Sequence, residues 1–166
     1  MVIDTVANMA TLAERARAAV AAVCDPEIPV LTIADLGVLR DVTVHDGTVE
    51  VVITPTYSGC PAMGVIQMDI ELALAAAGIA GRVRTVLHPA WTTDWLTDAG
   101  RDKLRAYGIA PPPAGGRRAL FGVDQVACPR CGSADTGVLS EFGSTSCKAL
   151  WRCQTCREPF DVFKCH

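Results

Sequence analysis

Two cysteine pairs near the carboxy terminus, Cys128-Pro129-Arg130-Cys131 and Cys153-Gln154-Thr155-Cys156, have the C-x-x-C spacing that brings two sulfurs to one ion. Four thiolates from two such knuckles satisfy a tetrahedral, thiophilic metal. The spacing therefore points to one metal held by Cys128, Cys131, Cys153 and Cys156, with zinc favoured over a four-sulfur iron site. Six of the eight cysteines fall within the last 39 residues, a clustering that favours metal binding over a disulfide framework. Cys147, Cys165 and His166 are further ligands on offer. The two cysteines equally suit compact apolar slots in a small core built from Phe142, Trp151, Phe160 and Phe163.

The second sulfur of interest stands alone. Cys60 lies in Thr54-Pro55-Thr56-Tyr57-Ser58-Gly59-Cys60-Pro61, between an expected strand and an expected helix. With Pro61 at the first helical position, Cys60 reads as the N-cap, where unpaired N–H groups and the helix dipole favour a thiolate. That gives it a route to nucleophilicity or iron coordination, against the alternative of a packed, structural thiol. Asp25 and Glu27 are carboxylates that could approach it across the fold. Cys24 reads as a packed residue at a helix end, and His88 and Trp91 as core completion at a strand end rather than a ligand surface. Asp69 and Glu71, two positions apart on a helix, do not share a face and read as exposed charges. The sequence carries no nucleophile elbow, phosphate-binding loop or dinucleotide fingerprint, so no catalytic residue is assigned.

The elements that must position these sulfurs are legible from pattern. An amphipathic helix is expected from Thr11, where Thr11 and Glu14 have capping-box spacing, to near Cys24. Asp25-Pro26-Glu27-Ile28-Pro29 then forces an irregular loop, because each proline lacks an N–H and restricts the residue before it. Thr32 to Gly37 reads as a capped turn. Strands over 38–44 and 48–54 flank the Asp46-Gly47 hairpin signal. A long apolar helix through Ala77 ends at Gly78, and a strand follows over 82–87. Thr97 caps a last helix that reaches Tyr107 and exits at Gly108. Pro111-Pro112-Pro113-Ala114-Gly115-Gly116 joins a stiff segment to a flexible pair and reads as a linker. The fold class is α/β: a small α/β domain over 1–110, a proline/glycine-rich linker over 111–119, and a cysteine-rich, zinc-ribbon-like module over 120–166.

Composition bounds the function. The 166 residues are 50% hydrophobic and 20% charged, which excludes a disordered chain. The formal charge of -3 leaves too weak a field to make nucleic acid a default partner. No signal segment or membrane span is evident, so a cytoplasmic location with reduced thiols is expected.

Asp25-Pro26-Glu27-Ile28-Pro29-Val30, Asp35-Leu36-Gly37 and the stretch from Thr54 to Pro61 together resemble the MIP18/DUF59 iron–sulfur assembly family. The resemblance implies a small α/β fold and a role in iron–sulfur protein maturation. Within it, Asp25 and Glu27 match the acidic positions of the DPE motif and Cys60 its principal functional cysteine. A transient iron or iron–sulfur cluster is the implied cargo. The terminal module, with Phe142-Gly143-Ser144-Thr145, Cys147-Lys148-Ala149-Leu150 and Glu158-Pro159-Phe160-Asp161, extends the resemblance to accessory subunits of bacterial phenylacetyl-CoA epoxidase systems, which serve phenylacetate catabolism. That implies a non-catalytic subunit that assists metal-centre assembly, or alternatively a structural adaptor. The implied partners are the oxygenase and reductase components, iron–sulfur assembly proteins and a second copy of the chain.

Overall fold

A computed structural model describes residues 2–112 and 126–164, with side chains from residue 9 onward. The chain divides into two compact units, residues 1–91 and 92–166.

In the first unit, helix α1 spans Val2–Ala21. It starts upstream of the expected Thr11, because no proline or glycine between Val2 and Ala10 stops a helix and the capping spacing at Thr11 is overridden. Strands β1 (Leu39–His45) and β2 (Thr48–Ile53) form the expected antiparallel hairpin. Asp46 and Gly47 take φ values of 50° and 78°, the two left-handed residues that a tight hairpin turn requires. Helix α2 (Met63–Ala76) returns the chain so that β3 (Gly81–Thr85) pairs parallel to β2, giving the sheet order β1-β2-β3.

Helix α1 packs on β1, α2 packs on β3, and the two helices touch. Val49 and Val51 of β2 are buried, while the intervening Glu50 turns to the other face and pairs with Arg82 and Arg84 at 2.8 and 3.1 Å. From α2, Ile66, Ile70 and Leu74 enter the core at helical spacing. Arg15 donates to the carbonyl of Ala77 at 3.2 Å, a cation placed at the negative end of α2.

The second unit opens with a 3₁₀ turn, Thr93–Trp95, and helix α3, Asp98–Tyr107. The Thr97 hydroxyl accepts the Gly100 N–H at 3.0 Å, and Gly108 leaves the helix at φ 88°, as their sequence positions indicate. Arg101 is buried and donates to the carbonyls of Thr93, at 2.7 Å, and of Pro112, tying the helix to the chain on both sides. Strands β4 (Ile109–Ala110), β5 (Thr136–Ser140), β6 (Lys148–Cys153) and β7 (Pro159–Phe163) form one sheet in the order β4-β7-β6-β5. Strands β5, β6 and β7 run antiparallel, and β4 joins β7 in parallel.

Helix α3 and β4, read from sequence as part of the first domain, thus lie in the second compact unit. The linker expected over 111–119 and the start of the expected module at 120 lie outside the described residues from 113 to 125. The core of this unit gathers Ala110, Val126, Cys128, Cys153, Phe160 and Val162, with Trp151 packed against it. Phe163 is also buried. Phe142 does not join them. The Ser140 hydroxyl bonds both the carbonyl and the N–H of Phe142, and the resulting turn leaves its ring exposed under the Lys164 ammonium, 4.1 Å from the ring centroid. The architecture is an α/β domain followed by a ribbon-like module.

Candidate functional site

The β5–β6 hairpin runs from Thr136 to Cys153, which pair at its open end, so both C-x-x-C pairs meet there. The N–H of Cys128 bonds the carbonyl of Ser133, and the N–H of Gly132 returns to the carbonyl of Cys128, which curls the first knuckle. In the second, the N–H of Cys156 points to the Cys153 sulfur at 3.5 Å. The Ser133 and Thr155 hydroxyls join the knuckles at 2.8 Å.

The sulfurs of Cys128, Cys131, Cys153 and Cys156 consequently all lie within 4.8 Å of one another. Cys128 and Cys156 are 3.8 Å apart, and Cys131 and Cys153 are 3.5 Å apart. A tetrahedron with metal–sulfur bonds of about 2.3 Å has edges of about 3.8 Å, so this donor set fits one thiolate-bound ion. The N–H of Cys156, outweighing burial, holds the Cys153 thiol down at about 6. The N–H of Glu158 acts in the same sense on Cys156, but burial and the neighbouring sulfurs outweigh it and push that thiol up to about 12. Without a cation, one sulfur of the group ionises readily at the expense of another; a bound metal removes that conflict.

Cys147 is buried outside this group and meets the Thr145 hydroxyl at 3.1 Å, a packing role. Cys165 and His166 lie outside the described residues.

In the first unit the loop after α1 is held by its own polar side chains. One Asp25 oxygen accepts the N–H groups of Glu27 and Ile28 at 2.8 and 2.9 Å, which folds the segment around Pro26. Thr32 and Asp35 form a reciprocal box. Asp35 accepts the N–H and hydroxyl of Thr32 at 3.0 and 2.9 Å, and the Asp35 N–H returns to the Thr32 hydroxyl at 3.0 Å. The indole N–H of buried Trp91 donates to the Leu36 carbonyl at 2.8 Å, so Trp91 fastens this loop from the far side of β3 in sequence. His88 is exposed.

The charges of this loop reach Cys60. Its thiol is pushed above the ordinary range, first by burial and then by the charges of Asp25 and Glu27, with the N–H groups of Ala62 and Met63 pulling the other way. This corrects the expectation of a helix-stabilised thiolate. Cys60 is not the N-cap: that position belongs to Ala62, and the helix begins at Met63. The Cys60 N–H bonds the carbonyl of Tyr57, and its own carbonyl accepts from Met63, so Cys60 lies in a turn just ahead of the helix, where burial outweighs the N–H groups of Ala62 and Met63. Cys24 is likewise not packed. It is exposed, because Val23 takes the core position and Cys24 pairs through its backbone with Thr32. Asp69 is half-exposed, and Glu71 is exposed and accepts from Gln67 at 3.2 Å.

Asp35 and Trp91 brace the loop that follows Asp25 and Glu27, although sequence reasoning does not single them out for this. The Thr32-x-x-Asp35 spacing is a usable signal for the first. Nothing local marks the Trp91–Leu36 bond.

Comparison with known proteins identifies both parts. Residues 13–87 match the family described as iron–sulfur cluster assembly protein, and residues 112–164 match the PaaD zinc beta ribbon domain. Over 142 residues, 85% of this chain and 86% of the relative, it is 52% identical to a putative 1,2-phenylacetyl-CoA epoxidase component of Escherichia coli. An Fe-S protein maturation auxiliary factor of Porphyromonas gingivalis is 35% identical over 46% of this chain and 74% of its own length. The crystal structure of a DUF59 domain from Bacillus anthracis superposes with a TM-score of 0.55 at 25% identity, covering 60% of this chain and 96% of that one.

Proposed function

The chain belongs to the PaaD family of iron–sulfur assembly proteins, and we propose that it is a maturation factor for a multicomponent phenylacetyl-CoA epoxidase. On this reading it helps an iron or iron–sulfur centre into the oxygenase or reductase component and does not itself catalyse epoxidation. Its relatives support the two halves of the statement separately: the epoxidase component across most of the chain, and Fe-S maturation factors across the first domain.

One feature carries the chemistry: Cys60 is a half-buried thiol held above its ordinary range by burial and by the charges of Asp25 and Glu27. An arriving iron cation reverses each of those influences. Its charge is attracted by both carboxylates and favours loss of the Sγ proton to solvent, so the sulfur becomes a ligand only when cargo is present. Cys128, Cys131, Cys153 and Cys156 are assigned to one structural zinc. That ion is redox-inert and supplies folding free energy to a module with a small core.

The test is co-expression of wild-type or Cys60→Ser protein with the other epoxidase components. Iron and acid-labile sulfide in each purified partner are followed over time, alongside complex formation. Serine keeps the size of the side chain but not the soft sulfur. The variant should retain its zinc and fold while partner loading falls. Full loading by the variant rejects delivery through Cys60; normal loading with failed assembly supports an adaptor instead.

A further inference from the structure

Helix α2 is apolar on two sides. Ile66, Ile70 and Leu74 face the sheet and are buried. Val65, Met68 and Leu72, at positions i, i+3 and i+7 on the opposite side, are 41%, 54% and 60% exposed. A second apolar stripe on the solvent side of a helix, bordered by polar residues, marks an interaction surface. It starts at the turn that holds Cys60.

We propose that the outer stripe of α2 is the docking surface for the protein that exchanges metal at Cys60, and that this partner presents an apolar ridge flanked by lysine or arginine. The inference rests on the maturation reading. Charge and area select the occupant. At 100° per residue, Asp69 and Glu71 fall on the two edges of the stripe, and α2 contains no lysine or arginine. A second copy would set four carboxylates around the shared ridge with no cation from either helix, and an anionic membrane surface would be repelled in the same way. The three side chains expose roughly 300 Å², against about 800 Å² that each partner buries in a stable interface of standard size. That suits a transient encounter, in which opposite charges steer approach and the complex then separates. A factor that loads a client and leaves needs such a surface next to its reactive thiol.

The experiment introduces the photo-crosslinker p-benzoylphenylalanine at Leu72 in the full chain, co-expressed with the other epoxidase components, with the same group at exposed Leu87 as control. A light-dependent adduct with one epoxidase component is expected from Leu72 and not from Leu87, mapping to a segment that contains lysine or arginine. Adding Asp69→Lys and Glu71→Lys should reduce adduct yield several-fold without changing zinc content. An adduct with a second copy, equal adducts from both positions, no adduct, or indifference to charge reversal each overturns the proposal. Separately, Val65→Glu/Met68→Glu, which leaves position 72 for the crosslinker, should lower the rate of partner iron loading. If Cys60→Ser abolishes loading while this double variant loads normally, docking is wrong and the maturation reading stands. If the double variant loses the adduct while Cys60→Ser loads normally, docking stands and delivery through Cys60 is wrong.

Discussion

The two units hold sulfur in opposite ways. In the ribbon, four sulfurs crowd within 4.8 Å, an arrangement that sets thiol against thiol unless a cation lies among them. In the α/β unit a single thiol is pushed above its ordinary range by burial and the charges of two acids, inside a frame that has its own apolar core. Under the proposed function, a metal completes the first arrangement as part of the fold, and the second holds a thiol that binds and releases cargo. The same side chain would then serve both, and what differs is whether the fold depends on the ion.

That contrast breaks most visibly if the metal is removed. Chelation, or Cys131→Ser, should abolish hydrogen-exchange protection across β5, β6 and β7 and leave α1, α2 and β1 to β3 protected. Binding free energies of about 10–16 kcal/mol for structural zinc in small modules exceed what a core as small as this one provides. Uniform protection after complete metal loss would show that the ribbon stands on packing alone.

The converse substitution is smaller and falls on the other unit. Ile70 is fully buried between α2 and the sheet. Ile70→Ala should destabilise residues 1–91 by about 2–5 kcal/mol through lost transfer energy and a residual cavity. Thermal unfolding read by segment should show an earlier loss of α1 and α2, with zinc content unchanged. If zinc is released in parallel, the units are not energetically separate.

The same contrast explains what is legible from sequence. The ribbon ligands are readable because C-x-x-C spacing is local: two sulfurs three residues apart need only a tight turn to converge. The Asp46-Gly47 hairpin and the Thr97 and Gly108 helix ends are readable for the same reason. Cys60 stands out by type, but its environment does not follow from its neighbours in sequence. Its burial and the charges of Asp25 and Glu27, more than thirty residues away in sequence, are tertiary facts, and burial outweighs the N–H groups at the helix start. Strand β4 escapes sequence reasoning because two residues between a helix exit and a proline run show no alternation; only pairing with β7 defines them. Phe142 departs from the expected core because its aromatic character suits an interior equally well as a cation–π contact with Lys164.

The smallest effect bears on how the lone sulfur is controlled. The Cys60 thiol lies above its ordinary value, so alkylation by iodoacetamide should be slow at pH 8 and should still climb as pH passes the usual thiol range. Exposed Cys24 should be labelled before Cys60, as read by mass spectrometry of the modified peptides. Glu27→Gln removes one of the two negative charges that oppose the thiolate and leaves the backbone bonds to Asp25 in place. The sign is fixed: fewer negative charges lower the thiol toward its ordinary value, raise the thiolate fraction at pH 8 and speed the reaction. A single carboxylate near the surface contributes under about 1 kcal/mol. A more acidic thiol is also a slightly weaker nucleophile, which leaves a net gain of about twofold. Chelation should not change either rate if burial and the two acids govern this sulfur. If Cys60 in the wild-type protein reacts ahead of Cys24, or slows on Glu27→Gln, then burial and the acids do not restrain it, and the distinction between a metal-completed and an acid-guarded sulfur collapses.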